Sequence, residues 1–279
     1  MREEIEIRPA RAEDREPVLA FCQHTFEWGD YIGQVWDRWL TDPQGKMFVA
    51  TLADRPIGIC HVALLSSREA WLEGARVDPG HRRQGVATAL TLRCLEYARQ
   101  EGRQVALLAT EAENHAARGA VEGLGFRPRT TFAYCVAGPD AAQVREVRAA
   151  DAGDLGVMRA IWDNSPIRRA ATGLFPRTWR WREMTWRDVE AAVAAGEALI
   201  HPAGFALGGQ GYGDSLEVYW LDGRPEALGP LALALRRRAH DLGLAKAEAM
   251  VPNYPPLLEA LARAGYEKEM DMLAYEKEM

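Results

Sequence analysis

The chain repeats itself at an offset of 140 residues. IRPARAED at 7–14 returns as VRAADAGD at 147–154, so that Arg8, Ala10, Ala12 and Asp14 recur as Arg148, Ala150, Ala152 and Asp154. Leu124-Gly125-Phe126 returns as Ala264-Gly265-Tyr266, again 140 residues on. Between these landmarks ALTLRCLEYARQEG (89–102) is matched by PLALALRRRAHDLG (230–243), and both runs close on a glycine suited to end a helix. Two matches at an offset of 140 and a third at 141 constrain the chain to two copies of one plan. Each copy opens with a short β-like run and then an acidic stretch whose carboxylates favour a helix start. The expected domains are 1–139 and 144–279, joined around AGPDAAQ at 137–143, a segment rich in Gly, Pro and Ala. A length of 279 residues suffices for two domains of ordinary size.

Within the first copy, periodicity predicts a strand at 3–8, helices at 13–26 and around 33–40, and strands near 46–53 and 56–65. Asp54-Arg55-Pro56 reads as the hairpin loop between those two strands. A strand at 70–77, a helix at 85–100, a strand at 104–110, a helix at 114–123 and a strand at 131–137 follow. This alternation is that of an α/β fold.

Composition narrows the function classes. A net charge of −6 and a pI near 5.6 give no global basic field for nucleic acid, and mildly favour cationic partners, amines among them. Cys22, Cys60, Cys94 and Cys135 form no C-x-x-C pair and sit in apolar stretches, as buried reduced thiols do. MREEIEIRPARAEDRE lacks the apolar core of a signal peptide, and no run approaches the roughly 18 apolar residues of a membrane span. The expectation is a soluble cytoplasmic protein with no membrane, nucleic-acid or metal partner, acting as a monomer or homodimer.

RRQGVATAL at 82–90 lies where the chain leaves a strand and enters a long apolar helix. Gly85 admits conformations closed to other residues and lets a ligand approach the main chain. The first N–H groups of the helix have no intrahelical acceptor, and the macrodipole adds about 0.3–1 kcal/mol for an anion there. Arg82 and Arg83 could clasp phosphate oxygens bidentately. Val86, Leu90, Cys94 and Tyr97 make a stripe that would hold the helix start rigidly against a sheet. Taken alone, the segment is equally a plain turn with solvated arginines. The sequence has neither the G-x-x-x-x-G-K-[ST] phosphate loop nor the dinucleotide G-x-G-x-x-G.

VDPGHRRQGVA at 77–87 resembles the acetyl-CoA-binding motif of the GNAT N-acetyltransferases, V-x-P-x-x-[RQ]-x-x-G-x-[GA]. ENHAARGAVEGLGF at 113–126 resembles that family's N-x-x-A…LGF segment, in the expected order. The resemblance implies two tandem GNAT-like acyl-CoA N-acyltransferase domains, each a mixed, mostly antiparallel sheet flanked by helices. The sheet would splay between two strands where an acetyl-pantetheine arm enters. It further implies acetyl-CoA as co-substrate, pantetheine on the backbone of Arg76 and Val77, and pyrophosphate on Arg82, Arg83, Gln84, Gly85, Val86, Ala87 and Thr88. Asn114 would hold the pantetheine arm or its adjoining backbone. The implied activity is acetyl transfer to a primary amine, on a small molecule or a peptide, in the N-terminal copy.

The match breaks at the chemistry. Many members place a tyrosine general acid seven residues after the asparagine, where this chain has Val121. Tyr134 on the next strand either reaches the site or packs as core. For the general base, Glu73 shares alternation parity with Val77, and Glu111 ends the following strand; each is also readable as a surface carboxylate. His115 reads as a surface histidine at a helix start. In the second copy DGRPEALGP (222–230) stands where the phosphate loop should fall, with Pro225 removing an amide donor and Glu226 repelling phosphate. Trp28, Trp36 and Trp39 lie where family members line an acceptor pocket. Trp179, Trp181 and Trp186 read as core packing or an interdomain seam. A non-catalytic acyl-CoA-binding or interaction protein is the alternative.

Overall fold

Two apolar runs, GKMFVATL and RPIGICHVAL, form the antiparallel strands β2 (Gly45–Leu52) and β3 (Arg55–Leu64) of a computed structural model that describes residues 4–23 and 29–279. Side chains alternate across a strand, yet nearly every residue of both is buried, because helices cover both faces. Met47, Val49 and Ile59 pack with Val18, Ile32, Trp36 and Trp39 of helices α1 (Arg15–Cys22) and α2 (Ile32–Leu40). Phe48, pointing the other way, meets Tyr97 edge-on at 5.9 Å on α3 (Val86–Gln100). The β2–β3 turn falls on Ala53-Asp54, both at positive φ, one residue before the expected Asp54-Arg55-Pro56. Pro56 is instead paired into the ladder opposite Thr51.

The chain packs as two units. Unit 1 holds residues 1–108, 119–127 and 276–279; unit 2 holds 109–118 and 128–275. In unit 1 the strand order is β1 (Glu6–Pro9), β2, β3, β4 (Glu69–Val77) and the first four residues of β5 (Val105–Glu111). All these pairs are antiparallel except β4–β5. That parallel ladder covers Glu69–Trp71 against Val105–Leu107, the first three residues of each strand, and then stops. The chain's end joins this unit, Met279 N–H bonding the Gln104 carbonyl at 2.8 Å.

The helix α4 (His115–Gly123) is shared between the units, and in unit 2 the strand β6 (Arg127–Ala137), from Pro128 on, lies antiparallel to β13 (Lys246–Pro252). Beyond β13 come β12 (Ser215–Gly223), β11 (Gly204–Gln210), β10 (Ala198–His201) and β7 (Arg148–Ala149). The β12–β13 pair is again parallel and again short, Ser215–Val218 against Lys246–Ala249. Helices α8 (Pro225–Asp241) and α9 (Pro255–Arg263) occupy the places of α3 and α4 in the repeat, and β14 (Glu267–Glu278) ends the chain. Unit 2 adds a hairpin, β8 (Leu174–Arg177) and β9 (Arg180–Glu183). Each unit is thus a mixed, mostly antiparallel sheet with flanking helices, the α/β fold expected.

The repeated octapeptide has a physical role. The Arg8 guanidinium binds both oxygens of Asp14 at 2.8 Å, and Asp14 also accepts the Arg11 N–H at 2.7 Å, tying β1 to the turn before α1. Arg148 and Asp154 repeat the clamp at 2.7 and 2.6 Å, with the Asp151 N–H at 2.9 Å. Burial alone would push the Asp14 carboxyl up; the Arg8 hydrogen bonds outweigh it and hold it below the usual range.

Trp36, Trp39 and Trp181 pack as core, Trp186 is half-buried, and Trp179 is exposed. Trp36 and Trp39 are buried in unit 1, and Trp28 lies outside the described residues. Trp181 sits edge-on to Phe132 at 5.8 Å, and Trp186 edge-on to Trp162 at 6.2 Å. All four cysteines are buried and free. Among the described residues no helix is long and apolar enough to cross a membrane.

Gly74 is the tightest joint of unit 1. Its φ is +67°, and a Cβ there would lie 2.5 Å from the Trp39 ring. Left-handed strain and overpacking together predict that Gly74→Ala costs about 2–4 kcal/mol in urea unfolding. Gly80→Ala, whose Cβ would meet only the Asp78 carboxylate at 3.4 Å, should stay within about 0.5 kcal/mol.

Candidate functional site

Eight residues, Asp78–Gly85, separate β4 from α3, and their backbone curls tightly before the helix. Asp78 accepts the Gly80 N–H at 2.8 Å and starts a single 3-10 turn, Pro79–His81. Arg82 is extended, then Arg83 at φ +60° and Gly85 at φ +83° curl the chain into the helix. Left-handed residues in such a loop gather successive N–H groups into a concavity. The first helical hydrogen bond runs from Ala89 N–H to the Gly85 carbonyl, 2.9 Å, so the N–H groups of Val86, Ala87 and Thr88 have no intrahelical acceptor. A Cβ on Gly85 would meet nothing within 4 Å, so the space before the loop is open. Arg82, Arg83, Gln84, Gly85 and Thr88 are exposed.

The helix behind the loop is firmly seated. Val86, Leu90 and Cys94 are buried, and Gly58 on β3 lets the helix close in, since a Cβ there would lie 2.9 Å from the Val86 methyl. Tyr97 is half-buried against Phe48. The stripe read from sequence is the seated face.

Arg76 and Val77 pair with Ile59 and Gly58 on β3, beyond the point where the β4–β5 ladder stops. In an antiparallel strand alternate residues direct their N–H and C=O to opposite sides, so successive residues here alternate between β3 and the side that β5 has left. The Arg76 side chain is engaged elsewhere. Its Nε donates to Asp30 at 2.6 Å, and its guanidinium lies 5.2 Å from the Tyr31 ring centre. Burial pushes that phenol up to about 12.

Glu73 is enclosed and anchored. Its Oε1 lies 2.9 Å from His61 Nδ1, and its Oε2 accepts the Trp71 indole N–H at 3.2 Å. His61 is fully buried and stacked on Trp39, centroids 4.6 Å apart and planes 6° from parallel. Its Nε2 is 3.6 Å from Asp42 Oδ2. Sequence reading missed His61 and Asp42. The one signal was a lone imidazole inside the apolar run ICHVAL; its partner emerges only from strand register, which sets His61 opposite Glu73.

The remaining candidates are placed as follows. Glu111 is exposed at the end of β5, and Asn114 is exposed with its Oδ1 accepting the Ala117 N–H at 3.0 Å, an N-cap for α4; both belong to unit 2. His115 is exposed at the first residue of α4. Val121 is half-buried on α4. Tyr134, in unit 2, donates its hydroxyl to Glu248 Oε1 at 2.5 Å; burial, then that hydrogen bond, raise its pKa far above the usual phenol.

The equivalent junction in unit 2 has no loop. β12 ends at Gly223 and α8 begins at Pro225, so Arg224 alone joins them. Pro225 occupies the first helical turn, where a proline is tolerated, and Pro230 lies inside the helix. Asp222 is buried, accepting the Gly223 N–H at 2.8 Å and the Trp220 indole at 3.3 Å; burial pushes its carboxyl up to about 6.

Residues 16–126 match the model of a family described as the acetyltransferase (GNAT) family. An uncharacterised N-acetyltransferase of Methanocaldococcus jannaschii is 29% identical over 110 residues, 36% of this chain and 49% of that protein. The match therefore spans about half the length of that curated relative. A GCN5-related N-acetyltransferase from Sphaerobacter thermophilus superposes with a TM-score of 0.69 over 98% of this chain and 95% of its own, at 16% identity. A tandem GNAT protein from the clavulanic acid biosynthesis pathway gives 0.63 over 99% and 98%, also at 16% identity. At these identities the likeness is one of fold.

One carboxylate in unit 2 gives a pH signature. Burial raises Glu217 to about 7, against the pull of the Thr178 N–H that it accepts at 2.5 Å. An acid with a raised folded pKa keeps its proton after the unfolded chain has released it, so stability falls as pH rises from about 4.5 to about 7. The loss above that window is on the order of 3 kcal/mol. Glu217→Gln, which retains an acceptor for Thr178, should match the wild type in urea unfolding near pH 4.5 and exceed it by about 1–3 kcal/mol at pH 8.

Proposed function

We propose that the chain, whose residues 16–126 match the GNAT acetyltransferase family model, transfers an acetyl group from acetyl-CoA to a primary amine at the unit 1 site. The observation that carries this reading is the contrast between the two junctions. Unit 1 has an eight-residue loop with Arg83 and Gly85 left-handed before a rigid helix start; unit 2 has Arg224 alone. The loop fits a pyrophosphate, since it offers open amides, a positive helix end and the exposed guanidiniums of Arg82 and Arg83. The backbone of Arg76 and Val77 would hold the pantetheine on the side that β5 leaves.

Acetyl-CoA supplies an activated acyl group. The amine must arrive at it without its extra proton. For an alkylamine at pH 7 that costs about 4.6 kcal/mol, and for an α-amino group about 1 kcal/mol. Glu73 is the residue we assign to take the proton. It is enclosed, fixed by two hydrogen bonds, and placed where β4 and β5 part. Glu111, exposed at a strand end, is held less firmly. As the C–N bond forms the C–S bond breaks, and with valine at position 121 the departing thiolate takes its proton from water or from the substrate's own ammonium.

Val121 also favours a second reading, an acyl-CoA-binding protein without turnover, because the position offers no hydroxyl. The two readings separate in one series of measurements. Calorimetry should find one acetyl-CoA site per chain. Gly85→Glu, which sets a carboxylate before the amides, should weaken binding by about 30-fold or more, as a loss of at least about 2 kcal/mol at the anion site requires. Gly85→Asn, tolerant of a left-handed φ, should bind nearly as the wild type. Acetyl transfer to a panel of primary amines, lost with Gly85→Glu, supports the enzyme. Binding without any transfer supports the second reading, and no binding of any acyl-CoA overturns both.

A further inference from the structure

We infer that His61 is a positioning residue for Glu73, holding its carboxylate in the orientation from which it meets the amine. This rests on the assignment of Glu73 as the proton acceptor. His61 and Glu73 face each other across the β3–β4 ladder, and the 2.9 Å contact joins His61 Nδ1 to Glu73 Oε1. Trp71, two residues before Glu73 on the same strand, donates to the other oxygen at 3.2 Å. With one donor on each oxygen the carboxylate plane is defined, whereas a single donor would leave it free to turn.

The imidazole is itself held on every side. It lies flat on Trp39 and is fully buried. Its Nε2 has no hydrogen-bond partner and faces Asp42 Oδ2 at 3.6 Å. Gly45 closes that side: a Cβ there would lie 2.8 Å from His61 Nε2, from Asp42 Oδ2 and from the Val62 carbonyl. A buried polar ring costs free energy unless it is paired, and an apolar residue would fill the same space without an orphaned nitrogen. The hydrogen bond to Glu73 is what the imidazole supplies that an apolar residue would not.

The contact also sets the tautomer. Against a carboxylate, Nδ1 carries the proton and donates. The titratable and charged groups around the ring are Glu73 on β4, Asp42 ahead of β2, and Cys60 beside it on β3. Tyr31 and the Arg76–Asp30 pair lie around Glu73 from the α2 side.

His61→Leu and His61→Asn, compared with Glu73→Gln, test this. Asparagine retains an N–H near the Nδ1 position and leucine does not. We expect His61→Leu to lower kcat by about 10²-fold, the effect of a misplaced catalytic group, with acetyl-CoA affinity unchanged and the acid limb of the kcat/KM profile displaced. His61→Asn should recover most of kcat. Equal kcat values for both variants, or an acid limb that does not move, overturn the positioning role. If Glu73→Gln has full activity, the base assignment fails first; if it is inactive while His61→Leu is not, the positioning role fails alone.

A readout independent of turnover is the ¹⁵N spectrum of the ring. It should show the Nδ1–H tautomer, with chemical shifts that change on Glu73→Gln. An Nε2–H tautomer, or shifts indifferent to Glu73→Gln, overturns the proposal whether or not an acceptor amine is in hand.

Discussion

The early end of the β4–β5 ladder governs the rest of unit 1. Two parallel strands that stay paired satisfy each other's N–H and C=O groups; these two part after Trp71 and Leu107. Beyond that point β4 is bonded to β3 on one side and directs alternate peptide groups toward the other. The same parting carries Glu73 out of the paired region and brings the strand's end, through Asp78–Gly85, to the start of α3. Edge, carboxylate and amide cradle are three consequences of one geometry.

Unit 2 shows what this geometry does without the loop. Its β12–β13 ladder is also parallel and also short, and α8 follows as α3 does. Yet the chain turns through Arg224 alone, a proline begins the helix, and a second proline removes an amide farther in. The polar group at the junction is Asp222, turned inward onto Trp220 and the Gly223 amide. The octapeptide clamp, by contrast, is kept in both copies with the same hydrogen bonds. The repeat therefore preserves what seats the first strand and helix, and varies the junction between β4 or β12 and the helix that follows it.

What was legible in the sequence is what depends on near neighbours. Helix and strand periodicity placed the elements of the first copy, since burial on a helix or strand face is local arithmetic. RRQGVATAL disclosed its character because a left-handed glycine and a helix start lie within a few residues. Pairings set by register or distance were not legible. His61 and Glu73 are 12 residues apart and meet through the β3–β4 register. Arg76 is claimed by Asp30 across 46 residues, so a side chain adjoining the motif is withdrawn from it. Trp36 and Trp39, three apart on one helix, fit a pocket lining and a core equally well on paper; contact with Val49 and Ile59 places them in the core. The assignment of β6 to the unit that holds β13 follows from the pairing of Phe132–Ala137 with Ala247–Pro252, which no local pattern announces.

The same distinction bears on the choice between the two carboxylates. Glu73 and Glu111 were both candidates in sequence, Glu73 by its alternation parity with Val77 and Glu111 by its place at the end of the following strand. A carboxylate on an exposed strand end keeps its water, and its side chain samples several rotamers, so proton transfer must wait for both to be given up. Glu73 has exchanged that freedom for contacts with Trp71 and His61, and His61 for contacts with Trp39 and Gly45. Gly74, immediately after Glu73, adopts its left-handed turn against the same Trp39 ring. The strand bends at the residue that follows the carboxylate, and the tryptophan that fixes the bend also fixes the imidazole. On the proposed reading, the packing of α2 against β3 and β4 is therefore part of how the amine meets its base.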